Sequence, residues 1–142
     1  MSMLIAAITF IPLLAIAIAH FMWSMGMSWP IRDKAMLART VIGRPGATRV
    51  PRLASLLIAF LVLAAGIVGL ALADKTGGGI WLTLVGAVLA AVFLARGAIG
   101  YTAGWRAQFP EEPFASLDRR NYSPLSLFIG AGFLLLVLMR LI

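Results

Sequence analysis

Residues 53–73 read LASLLIAFLVLAAGIVGLALA and contain no charged side chain. A helix needs about 20 apolar residues to cross the hydrocarbon core of a bilayer, where every backbone N–H and C=O must be satisfied within the segment. The stretch therefore predicts a transmembrane helix. Three further runs have the same character, so the sequence predicts four spans, at about residues 3–23, 53–73, 80–100 and 122–140.

The composition of the whole chain is also typical of a membrane protein. Of the 142 residues, 62% are hydrophobic and 12% are charged, whereas a soluble domain carries about a quarter charged residues. The net charge is +7, but the basic residues lie mostly between the apolar spans, which favours anionic lipid head groups over nucleic acid as their counter-charge. Because the chain has no cysteine, it has no disulfide and no thiolate metal site.

The connections between the spans predict the arrangement of the helices. Residues 74–79 form a short connection with three consecutive glycines, which makes the second and third spans antiparallel neighbours. We therefore predict an all-α integral membrane protein, in which residues 1–142 form a single domain, an up-down bundle of four transmembrane helices. In the first connection, apolar residues recur at helical spacing over Pro30–Ile42, which predicts a short helix lying in the membrane interface. A solvated basic loop is the alternative.

The distribution of basic residues predicts the orientation in the membrane. With four spans, the first and third connections share one side, and together they carry nine Lys and Arg residues. The other side has only Lys75 and Arg140. Because short cytoplasmic loops carry the excess of basic residues, both termini are predicted to face away from the cytoplasm.

The polar residues at the predicted cytoplasmic end of the spans are the candidates for a functional site. Arg96 is the one charged residue well inside a span, and such a charge costs about 2.5–3.5 kcal/mol at the bilayer centre, so it needs a partner. Asp118 is the best-placed carboxylate, and we predict a bidentate ion pair between the two. The cluster predicted at this depth consists of His20, Trp23, Arg96, Asp118, Arg119, Arg120 and Tyr122.

This cluster has two interpretations. In the first, it is a structural lock that fixes the third connection against the bundle. In the second, it is the floor of a polar pocket for an anionic or quinone-like head group. A single histidine excludes a bis-histidine haem within one chain, and the sequence contains no phosphate-binding loop, dinucleotide fingerprint or nucleophile elbow. No catalytic, cofactor-binding or metal-binding residue is predicted.

Four groups of motifs carry a family resemblance. They are His20–Trp23 with Gly26 and Trp29-Pro30, Thr40–Gly43 with Pro45-Gly46, Phe93–Gly97 with Gly100, and Phe114–Arg119 with Tyr122–Leu125. In these the chain resembles the bacterial domain-of-unknown-function family 3995, DUF3995, a group of small four-helix membrane proteins. The resemblance covers most of the chain, and its last motif is the most specific. It implies the fold and a bacterial inner membrane location, but no activity.

The leading functional hypothesis is a non-catalytic accessory subunit or scaffold of a larger membrane assembly. It rests on the absence of a carboxylate within a span, of a nucleophile paired with a base, and of a metal-binding set. The alternative is a protein that binds or transports a small molecule, lipid or quinone through the polar pocket. An enzyme, with Tyr122, His20 or Asp118 as acid or base, has the least support. The expected partners are membrane lipids and other membrane subunits, and neither nucleic acid nor a cofactor is expected.

Overall fold

The structure, a computed structural model, describes all 142 residues and contains helices but no strands. Four of the helices are long and apolar enough to cross a membrane, which confirms the predicted spans and defines a multi-pass membrane protein. In chain order the helices are α1 (Ser2–Ser24), α2 (Lys34–Val41), α3 (Arg52–Asp74), α4 (Gly79–Ile99), α5 (Ala103–Gln108), α6 (Phe114–Leu117) and α7 (Ser123–Leu141). A π-helical turn, Asp118–Tyr122, joins α6 to α7.

The fourth membrane helix begins earlier than predicted. We expected it to start at about residue 122, but helical structure is continuous from Phe114 to Leu141. In the π turn the N–H of Ser123 donates to the carbonyl of Asp118, five residues earlier. This wider turn comes directly before Pro124, which has no N–H to continue the ordinary α-helical pattern. Asp118 therefore lies within the helix and not in the loop that precedes it.

The short helix predicted in the first connection is present, but it begins later. α2 starts at Lys34 and not at Pro30, because the side chain of Asp33 caps it by accepting a hydrogen bond from the N–H of Ala35 at 2.9 Å. The helix buries one face, formed by Leu37, Ala38 and Thr40. Its location in the membrane interface stays a prediction.

The bundle core lies where two helix pairs meet. α1 packs mainly on α3, and α4 packs mainly on α7, which also contacts α1. The largest completely buried side chains of this core are Leu13, Leu72, Ile129, Phe133 and Leu136.

Glycines bring the backbones of α4 and α7 close together. A Cβ atom added to Gly97 would lie 2.9 Å from the backbone nitrogen of Leu127, and one added to Gly130 would lie 2.8 Å from that of Leu94. Neither position therefore has room for a side chain. Such close packing stabilises helices in a bilayer, where no hydrophobic effect drives one helix onto another.

Arg140 stabilises the end of the bundle at which α3 is connected to α4, by binding backbone carbonyls there. Its Nη1 donates to the carbonyl of Leu72 at 3.4 Å, and its Nη2 donates to the carbonyl of Gly77. The hydroxyl of Ser2 donates to the carbonyl of Ala73 at 3.2 Å. Both chain termini therefore lie at this end of the bundle. Carbonyls at the end of α3, which have no partner within the helix, are satisfied by these side chains.

Candidate functional site

Arg96 and Asp118 form an ion pair at the opposite end of the bundle. Arg96 lies in the last turn of α4, and Asp118 is the first residue of the π turn. The distance from Nη2 of Arg96 to Oδ1 of Asp118 is 2.6 Å. The side chain of Asp118 is only 4% exposed, and that of Arg96 is 30% exposed. The pair predicted from the sequence is thus present in the structure.

The second oxygen of Asp118 is bound by a residue that was not predicted from the sequence. Trp105 of α5 donates from Nε1 to Oδ2 at 2.9 Å, so the carboxylate is shared between two donors and the expected bidentate pairing with Arg96 is wrong. The guanidinium carbon of Arg96 also lies 4.5 Å from the centre of the Trp105 ring, within the range of a cation–π contact. The sequence feature that could have indicated Trp105 is its indole N–H, which needs a hydrogen-bond acceptor when it is partly buried.

Gly100 and Ser123 complete the immediate surroundings of the pair. Nη1 of Arg96 lies 3.4 Å from the hydroxyl oxygen of Ser123, which is completely buried. A Cβ atom on Gly100 would collide with that oxygen and would lie 3.1 Å from both Arg96 and Asp118. The absence of a side chain at position 100 is therefore a condition for the ion pair. We name the set Arg96, Gly100, Trp105, Asp118 and Ser123 the carboxylate lock.

Tyr122 binds the first connection and not the ion pair. Its hydroxyl donates to the carbonyl of Thr40 at 3.1 Å, and its ring packs on Phe114. Nearby, the N–H of Glu111 donates to the carbonyl of Gly43 at 3.2 Å. These contacts join α2 and its C-terminal turn to the third connection, so the two long connections form one layer over this end of the bundle.

His20 and Trp23 lie together but separately from the carboxylate lock. Nδ1 of His20 is 2.9 Å from the carbonyl of Ile16 on its own helix, and its ring centre is 4.7 Å from that of Trp23. Nε1 of Trp23 donates to the carbonyl of Trp29 at 2.8 Å. No hydrogen bond, ion pair or ring contact links either residue to Arg96 or Asp118.

Arg119 is exposed and takes no part in the lock through its side chain. Its carbonyl accepts a hydrogen bond from the hydroxyl of Tyr101 at 3.4 Å. The residue lines a shallow cleft of about 380 Å³ together with Arg106 and Arg120. The structure therefore divides the predicted cluster into the ion pair, Tyr122 with the first connection, the His20–Trp23 pair, and an exposed basic surface.

The most prominent cleft lies beside Trp23. It has a volume of about 770 Å³ and is formed by the end of α1, the start of α2 and the start of α3. Three of its lining residues are basic, namely Lys34, Arg49 and Arg52, and none is acidic. Of the predicted cluster only Trp23 lines this cleft, and neither Arg96 nor Asp118 does.

The carboxylate lock has little capacity left for chemistry. Both oxygens of Asp118 accept a hydrogen bond from a side chain of this protein, and the carboxylate is closed off from solvent. No three His, Cys, Asp or Glu side chains come together anywhere in the chain. The arrangement can hold α4, α5 and the start of the fourth membrane helix in one fixed geometry.

The comparisons with known proteins place the chain in a family. Four apolar spans capped by two packed connections define a small multi-pass membrane protein. A family model described as "Protein of unknown function (DUF3995)" matches residues 13–133, and the chain belongs to this family. The matched region includes every residue of the carboxylate lock. No curated protein and no solved structure matches the chain.

Proposed function

We propose that this protein is a non-catalytic accessory subunit or scaffold of a larger membrane assembly. The observation that carries the proposal is the engagement of Asp118, whose two oxygens are bound by Arg96 and Trp105 inside a closed site. A general base or a ligand-binding carboxylate needs a free position facing its substrate. For the same reason we do not propose that a small molecule, lipid or quinone binds at Asp118.

The energetics of the pair favour a structural role. A buried carboxylate without partners costs several kcal/mol, and that cost is offset here only if both oxygens stay bonded. Opening the lock to admit a substrate would break the bonds to Arg96 and Trp105 together. A subunit that must present fixed surfaces to its partners gains from such rigidity.

One face of α4 suits a partner helix. Ala87, Ala91 and Ala95 follow each other at intervals of four residues and are all exposed, so they form a strip of small side chains on the outer side of the bundle. Small side chains allow the backbone of another transmembrane helix to approach closely. The exposed face of α3 carries larger side chains, such as Phe60 and Ile67.

Cysteine cross-linking in native membranes tests the proposal, because the chain itself has no cysteine. In cells that naturally express the protein, Ala91→Cys should cross-link to a different membrane protein of reproducible mass. Ile67→Cys, equally within a span but 57% exposed on α3, is the matched control and should give no such product. The proposal is contradicted if Ala91→Cys gives no product, or only a product of twice the mass of this chain.

We also propose that the protein lies in the bacterial inner membrane with both termini outside the cytoplasm. In support, the basic residues are concentrated in the first and third connections, and these two connections contact each other at one end of the bundle.

A reporter that is active only outside the cytoplasm tests this orientation. Fused after Ile142, it should be active, whereas fused after Gly46 in the first connection it should be inactive. Activity of the Gly46 fusion together with inactivity of the Ile142 fusion would reverse the orientation.

A further inference from the structure

The cleft beside Trp23 is lined by basic side chains that form no ion pair within the protein. The ion pairs of the chain are Arg39–Glu111 and Arg96–Asp118, so Lys34, Arg49 and Arg52 all lack a carboxylate partner. The three side chains come from three different segments, namely the start of α2, the loop before α3, and the first residue of α3. Their meeting at one cleft makes it a site for an anion.

Local structure holds one of these cations in place. Gly26 has a φ of +86°, and a Cβ atom there would lie 2.5 Å from Nη2 and 3.0 Å from Cζ of Arg52. The guanidinium therefore rests directly on the backbone that follows α1. At the same place the N-terminus of α3 has no side-chain cap, so its first backbone N–H groups lack partners in the protein. Such a helix end also favours a negative charge.

An apolar groove lies on the same two helices. Its volume is about 250 Å³, and all of its lining residues are hydrophobic: four from α1, between Leu14 and Phe21, and three from α3, between Ala59 and Leu63. Several of these side chains are strongly exposed, including Ile18 at 50% and Phe60 at 62%. The groove is thus open to the surrounding membrane.

The distance between the cleft and the groove matches the distance between the charged head group and the apolar chain of an amphiphile. Arg52 precedes Ala59 by seven residues of one helix, which at 1.5 Å per residue separates their levels by about 10 Å. The head-group layer of one leaflet is about 5–8 Å thick, so a phosphate held at Arg52 places an acyl chain at the level of the groove. The charge of the cleft requires this amphiphile to be anionic.

We propose that an anionic phospholipid binds between α1 and α3, with its phosphate in the basic cleft and an acyl chain in the apolar groove. Free phosphate would use the cleft alone, and a zwitterionic phospholipid would bring an ammonium group that offsets the charge of its phosphate beside three cations. The site is separate from the carboxylate lock and does not depend on the accessory role proposed above. The phosphate of the lipid would also accept hydrogen bonds from the free backbone N–H groups at the N-terminus of α3.

Native mass spectrometry of the purified full-length protein in mild detergent tests the site. The protein is titrated with phosphatidylglycerol and, separately, with phosphatidylcholine. Binding of phosphatidylglycerol should need a lipid concentration at least about tenfold lower than binding of phosphatidylcholine. The combined variant Lys34→Gln, Arg49→Gln, Arg52→Gln should lose this preference. The matched control removes the same charge from the other basic surface and should keep the preference for the anionic lipid. It is the combined variant Arg106→Gln, Arg119→Gln, Arg120→Gln.

A groove variant distinguishes the lipid from free phosphate and leaves the charges intact. Leu63→Trp should weaken phosphatidylglycerol binding about tenfold without changing the binding of inorganic phosphate. Leu61→Trp, at a position 69% exposed and outside the groove, is its control. The proposal is overturned if both lipids bind equally, if the two triple variants lose binding to the same extent, or if Leu63→Trp leaves lipid binding unchanged.

Discussion

Replacing Asp118 by alanine should lower the free energy of unfolding by about 3–5 kcal/mol, the cost of leaving one half of a buried ion pair without its partner. The variant leaves the guanidinium of Arg96 without its carboxylate and the indole N–H of Trp105 without an acceptor. Because Arg96 is 30% exposed, water can reach part of its side chain, and we expect a value near the lower limit. Unfolding of the detergent-solubilised protein, followed by the helical circular dichroism signal, measures the change.

Two further variants define the cause of this loss. Asp74→Ala removes an exposed carboxylate at the other end of the bundle and should change the stability by less than about 0.5 kcal/mol. Asp118→Asn keeps an oxygen acceptor but removes the charge, so its loss should lie between those of the two alanine variants. If Asp118→Ala loses no more stability than Asp74→Ala, the carboxylate has no structural role.

Gly100→Ala should destabilise the protein by about 1–3 kcal/mol, although alanine is the better helix former. The new methyl group would collide with the hydroxyl oxygen of Ser123 and press on Arg96 and Asp118. Since Ser123 is completely buried, neither the hydroxyl nor its helix can move without disturbing the packing of α7. The same unfolding measurement gives the change.

The chain offers a matched control for this substitution. Gly104 lies four residues further on, within α5, and a Cβ atom there would meet nothing within 4 Å. Gly104→Ala should therefore be neutral or stabilising by up to about 1 kcal/mol. Removing the colliding oxygen in the double variant Gly100→Ala, Ser123→Ala should restore part of the lost stability. Equal effects of Gly100→Ala and Gly104→Ala would show that the lock tolerates a side chain at position 100.

The sequence was sufficient for the spans and for the ion pair, because both follow from local rules. Apolar length alone locates a transmembrane helix, and a charge such as Arg96 inside a span requires a partner from a very short list of acidic residues. The predicted start of the fourth helix, at about residue 122, was wrong, because helical structure begins at Phe114. The π turn, which lets the helix continue back to Phe114, has no sequence signature that we could use.

The composition of the site was harder to predict, because the sequence gives the depth of a residue in the membrane but not its position around the bundle. His20 and Arg96 have similar predicted depths. However, α1 packs mainly on α3 whereas α4 packs mainly on α7, and no hydrogen bond joins the two residues. Trp105 was not among the residues predicted for the site. Its role depends on how α5 folds back over Asp118, which is a matter of tertiary structure.

A double-mutant cycle on Arg96 and Asp118 tests most directly whether these residues form a structural lock. The free energy of unfolding is measured for Arg96→Ala, Asp118→Ala and the combined variant under identical detergent conditions. If the pair is a lock, the combined variant should lose less stability than the sum of the single losses, by about 1 kcal/mol or more, because the second substitution removes a group that already lacks its partner. Strictly additive losses would contradict the lock, and with it the main reason for proposing a non-catalytic role.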